Sequence, residues 1–141
     1  MKKIIIIGSI GSGKTTLIQS LKKMNTQYKK TQALEYYGNI IDTPGEYLEN
    51  RRYYNALTIA SYDCDEIALI QDSSNKRCVF PPNFASIFTK PVIGIVTKVD
   101  KEDIYIEDSI KCLELAGAQK IFKVSSKEDI GIKDIQNYIN D

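Results

Sequence analysis

Gly8-Ser9-Ile10-Gly11-Ser12-Gly13-Lys14-Thr15 fits the phosphate-binding loop pattern GxxxxGK[ST], and its neighbours are those such a loop needs. Before it, Ile4 to Ile7 form a short, wholly apolar, β-branched run suited to a strand covered on both faces. After it, Leu17, Ile18, Leu21 and Met24 recur at helical spacing. Strand, loop and helix are therefore in register. Glycines let such a loop curl so that backbone N–H groups face an anion at the positive end of the following helix. The pattern predicts a nucleoside triphosphate site in which Gly8 to Thr16 contact the phosphates. Lys14 reaches the β- and γ-phosphates, and the Thr15 hydroxyl ligates Mg²⁺.

Working outward, residues 29–38 read as a loop entering a strand, and Tyr37-Gly38-Asn39 supplies turn chemistry before Asn39-Ile40-Ile41-Asp42, which makes a compact hairpin. Residues 46–62 have helical character, with Leu48, Ala56, Leu57 and Ile59 as apolar contacts. Residues 67–71 form a buried strand, and 73–82 are irregular, closed by Pro81-Pro82. A short helix over 83–88 leads to a strand over 91–97. The next helix presents Ile106, Ile110 and Leu113 on one face and stops at Gly117. A last strand spans 120–124, and Ile132, Ile135 and Ile139 mark a C-terminal amphipathic helix. Alternating strands and helices predict an α/β fold, a three-layer doubly wound and mostly parallel sheet with ligands at the carboxyl ends of the strands.

The 141 residues suit one nucleotide-binding domain spanning 1–141, so any catalysis is expected beside the nucleotide. Nineteen Lys and Arg balance 18 Asp and Glu, which argues against a nucleic-acid or anionic-membrane partner. The four-residue apolar run before the loop is too short for a signal peptide or a span, so no membrane insertion and a cytoplasmic location are expected. Cys64, Cys78 and Cys112 are far apart, with no CxxC and no histidine, which excludes zinc sites and histidine catalysis. Free, partly buried thiols are the expected state.

Further motifs lie at or near strand ends. Asp42-Thr43-Pro44-Gly45 matches the DxxG element of GTP-binding proteins, Thr97-Lys98-Val99-Asp100 resembles their [NT]KxD base-reading element, and Ser125-Ser126-Lys127 resembles the loop that completes the base pocket. In this order they resemble a small Ras-like GTPase domain, part of the P-loop NTPase class, across nearly the whole chain. The resemblance implies that Asp42 holds Mg²⁺ through water, that Gly45 senses the γ-phosphate, and that Thr31 closes over the metal. The phrases DTPGEYLENRRYYNAL, KKIIIIGSIGSGKTTLIQSL and YKKTQALEYYG further resemble the EutP/PduV family of ethanolamine and propanediol utilisation proteins. That likeness implies an accessory protein of bacterial microcompartment-associated catabolism, with a shell or enzyme protein as partner.

The roles can be stated chemically. Asp100 accepts from two N–H groups on one edge of guanine but faces an acceptor at N1 of adenine. An unpaired desolvated polar group costs about 1–3 kcal/mol, so GTP and GDP are preferred at least tenfold. Lys98 lays its stem over the purine. Thr97 stands where asparagine is usual, which weakens the tether to the phosphate loop. Glu46 follows Gly45, where many GTPases carry a glutamine that orients water, and a carboxylate only accepts. Ile10 crowds the entry of an external arginine, so slow intrinsic hydrolysis is expected, with Lys14, Glu46 and Thr31 as its catalytic residues. Arg51 and Arg52 read as helix-surface residues in preference to a charge supplied in cis. A nucleotide switch is favoured. The alternatives are an ATP-dependent phosphotransferase acting on a carboxylate such as acetate, with ATP and ADP as its nucleotides, and a module in which nucleotide is only structural.

Overall fold

The computed structural model describes residues 1–22, 33–101 and 105–140. Six strands form one sheet in the order β2-β3-β1-β4-β5-β6: β1 Ile4–Gly8, β2 Glu35–Tyr37, β3 Ile40–Asp42, β4 Glu66–Asp72, β5 Val92–Thr97 and β6 Lys120–Lys123. All neighbouring pairs are parallel except β2 with β3. The β2–β3 hairpin turns on Gly38-Asn39, where Gly38 has φ 63°, the left-handed start that a two-residue turn between twisted strands calls for. The helices are α1 Lys14–Leu21, α2 Glu46–Glu49, α3 Tyr54–Ser61, α4 Ile106–Ala116 and α5 Ile132–Asn140, with 3₁₀ turns at Arg51–Tyr53 and Phe84–Ile87.

The isoleucine run explains the layering. Ile4 and Ile6 pack with Leu17 and Ile18 of α1 and with Ile132, Ile135 and Ile139 of α5. Ile5 and Ile7 pack on the opposite face with Leu48, Leu57, Leu113 and Phe84. Successive side chains of a strand point to opposite faces, so an all-apolar strand is stable only under helices on both sides. The fold is the expected mixed α/β, P-loop NTPase-like one.

Two local expectations are corrected. Residues 46–62 do not form one helix: Asn50 is extended at φ −125°, and its Oδ1 accepts from Arg52 N at 3.2 Å. Asparagine satisfies a starting turn from its own side chain and so ends one helix and begins the next. Ile59 is 65% exposed, because after that break the inward face of α3 is set by Leu57. The thiols are not all free: Cys78 and Cys112 form a disulfide, and Cys64 is free and buried. Irregular loop 73–82 folds back over α4, an encounter that sequence spacing does not reveal. Met24 and Thr31 lie outside the described residues.

Candidate functional site

The carboxyl ends of β1, β3, β4, β5 and β6 bring the expected residues, apart from Thr31, to one edge of the sheet. From β1 the chain enters the 8–15 loop, where Gly11 (φ 78°) and Gly13 (φ 98°) take left-handed conformations and α1 begins at Lys14. Ser12 is buried, and its hydroxyl has no hydrogen-bond partner among the described residues. A buried hydroxyl left unpaired is costly, and an anion in the loop would satisfy it.

Lys14 is 6% exposed, and burial pushes its ammonium below the ordinary value of 10.5, against the opposing charges of Asp42 and then Glu49. A desolvated cation facing a loop of donors suits a bound polyanion. The Thr15 hydroxyl donates to Asp42 Oδ2 at 3.2 Å, and Asp42 is fully buried at the end of β3. A hydroxyl and a carboxylate are hard oxygen donors that fit Mg²⁺, which takes few protein ligands when phosphates supply others. Among the described residues no group of three or more His, Cys, Asp or Glu converges on a metal position.

Around the corner lies a cavity of about 200 Å³ lined by Gly13, Thr16, Thr97, Lys98, Asp100, Lys101, Ser126 and Lys127. The Ser125 hydroxyl donates to Asp100 Oδ1 at 2.6 Å and is the main reason that carboxyl sits below its ordinary range. Ser125 is buried and also receives Glu128 N at 3.0 Å, so it positions Asp100 rather than lining the cavity. The Thr97 hydroxyl donates to Ser12 O at 2.7 Å, and Lys98 Nζ donates to Gly11 O at 3.0 Å. The threonine thus ties the end of β5 to the loop through one short hydroxyl bond.

Two residues escaped the sequence reading. Asp72, paired in register with Thr97, takes Lys98 Nζ at 2.6 Å and the Ser74 hydroxyl and amide at 2.6 and 2.8 Å. Burial would raise its pKa, but these bonds outweigh burial and lower it. Glu49, at the end of α2, accepts the Ile10 N–H at 3.1 Å. Strand-end position was the available signal for Asp72, and one helical turn from Gly45 the signal for Glu49. Glu46, by contrast, is exposed, and among the described residues its carboxylate has no hydrogen-bond or ion-pair partner. Arg52 is also exposed, and its Nη2 donates to Tyr53 OH at 2.9 Å.

The family model described as ethanolamine utilisation and propanediol utilisation, PduV-EutP, matches residues 1–141. The chain belongs to the PduV-EutP family. It is 40% identical to the propanediol utilization protein PduV of Citrobacter freundii, over 99% of this chain and 94% of that one. It is 31% identical to the probable acetate kinase EutP of Escherichia coli strain K12 and 30% to that of Salmonella typhimurium strain LT2, covering 99% of this chain and 89% of each relative. Among the described residues of this PduV-EutP member, no helix is long and apolar enough to cross a membrane.

Proposed function

We propose that this PduV-EutP protein binds guanine nucleotide with Mg²⁺, hydrolyses it slowly, and serves as an accessory switch in ethanolamine or propanediol utilisation, touching a shell or enzyme partner of a microcompartment. The observation that carries the reading is Asp100, held by Ser125 at the lip of a cavity that opens beside the Gly13 end of the 8–15 loop. A carboxylate fixed by one oxygen keeps acceptor capacity for the paired N–H groups of guanine. Thr97 and Lys98 join that cavity to the phosphate loop, so base and phosphates are read by one rigid unit.

Thr15 and Asp42 would hold Mg²⁺, whose charge would help neutralise the phosphates. Lys14 carries the fixed positive charge, and Asp100 orients the base. Glu46 is a carboxylate that only accepts and Arg52 donates to Tyr53, which supports slow hydrolysis.

A second reading has one specific support, the name probable acetate kinase borne by the two EutP relatives. In it, ATP would phosphorylate a small carboxylate at the same edge. Equilibrium binding of GTP, GDP, ATP and ADP with Mg²⁺, followed by product analysis with and without acetate, separates the two. The switch reading expects guanine preference of at least about tenfold, and GDP with inorganic phosphate as products independent of acetate. ATP preference with acetyl phosphate as product would establish the second reading instead.

A further inference from the structure

Glu49 reaches across 39 residues of chain to place its carboxylate on the Ile10 N–H at 3.1 Å. Its charge also acts on Lys14, after that of Asp42. Ile10 stands at the outer end of the 8–15 loop, whereas the inner turn at Gly11 to Gly13 leads into α1. Ile10 is 44% exposed, and its N–H is the loop donor that Glu49 occupies. Gly45 packs on the same spot: a Cβ there would lie 2.5 Å from Ile10 N. Glu49 N and Leu48 N both donate to Gly45 O, at 3.2 and 3.1 Å, so the carboxylate and the glycine belong to one rigid turn.

We propose that Glu49 is a built-in competitor of the terminal phosphate, biasing the site toward nucleoside diphosphate over triphosphate. The inference rests on the nucleotide reading above. Inner phosphates lie in the nest nearer α1 and leave Glu49 undisturbed. A third phosphate approaches Ile10, Gly45 and Lys14 together, where a carboxylate already accepts the available N–H. Two anions do not share one donor, so Glu49 must withdraw. Withdrawal removes one of the two contacts, with that of Gly45, that hold α2 against Ile10. Arrival of the third phosphate thereby loosens α2 on the loop. The exposed Glu49 gains little stability from this bond, which is why a ligand can displace it.

The test is the triphosphate-to-diphosphate affinity ratio, measured by calorimetry with Mg²⁺ and with GTP, GDP, ATP and ADP, for wild type, Glu49→Gln and Glu49→Ala, with circular dichroism confirming each fold. Glutamine keeps length and acceptor but removes charge. Both variants are expected to raise the ratio about tenfold, through tighter triphosphate binding and with diphosphate affinity within about twofold of wild type. An unchanged ratio, or both affinities moving together, overturns the role of Glu49 while leaving the nucleotide reading intact. A wild-type protein that binds none of the four nucleotides overturns both.

Discussion

A lysine buried beside a loop of backbone donors is unfavourable for the protein and useful for a polyanion. Lys14→Ala is therefore expected to weaken triphosphate binding by about a hundredfold, while the nucleotide-free variant melts no lower than wild type. Its depressed folded pKa fixes the sign of the pH effect. The charged form is disfavoured in the folded state, so wild type gains stability relative to Lys14→Ala as pH rises from that depressed value to 10.5. Denaturant melts of both proteins across the alkaline range check this, and a parallel pH dependence would contradict it. Asp100 allows a second test, since Asp100→Asn exchanges one acceptor for a donor. Preference is expected to move from GTP toward XTP in competition binding. An unaltered preference would mean that Asp100 does not read the base. Asp100 was legible because four contiguous residues carry its motif. Its holder Ser125 was read as a lining residue, and Asp72 was not read at all, because the bonds from Ser125 to Asp100 and from Lys98 to Asp72 join residues about 25 apart in the chain.

α2 is only four residues long, and its position depends on a contact that admits no side chain. Gly45, at the N-cap of α2, has φ −58° and ψ −33°, angles that alanine also adopts, so the backbone conformation sets no bar. Against that, the added carbon meets Ile10 N at 2.5 Å and Ile10 Cγ1 at 2.6 Å, and overpacking against backbone costs about 1–3 kcal/mol. Gly45→Ala is accordingly expected to lose about 1–3 kcal/mol, a fall of roughly 3–10 °C in thermal midpoint. A rise on substitution would show that α2 has room to rest elsewhere. The helical pattern of 46–62 could be read from the sequence, but not its interruption. Asn50 is compatible with a helix interior and with a new start, and only the approach of α2 to the loop decides between them.

The order of layers followed from the sequence because each core strand is apolar on both faces and each helix apolar on one, a pattern with few solutions. The Cys78–Cys112 bond did not, since three cysteines without spacing signals allow any pairing or none. It joins loop 73–82 to α4 across 34 residues. A loop of that length contributes about 3.8 kcal/mol by restricting the unfolded chain, so reduction is expected to lower the thermal midpoint by roughly 13 °C. Thiol titration in denaturant should find one free thiol before reduction and three after. Three from the outset would refute the bond. The remaining thiol, Cys64, is 1% exposed, and burial raises its pKa, so it should react only on unfolding.

Lys2 N donates to Ile139 O at 2.8 Å, and Lys2 Nζ donates to Tyr138 O at 2.9 Å. Residues 2 and 139 are thus neighbours at the amino end of β1, while loop 8–15 lies at its carboxyl end. A tether attached near either of these residues would leave from the same side of the molecule and hold it by its back. The edge that carries loop 8–15, α2 included, would then face outward, so a protein held in this way keeps its proposed nucleotide site open to the surroundings.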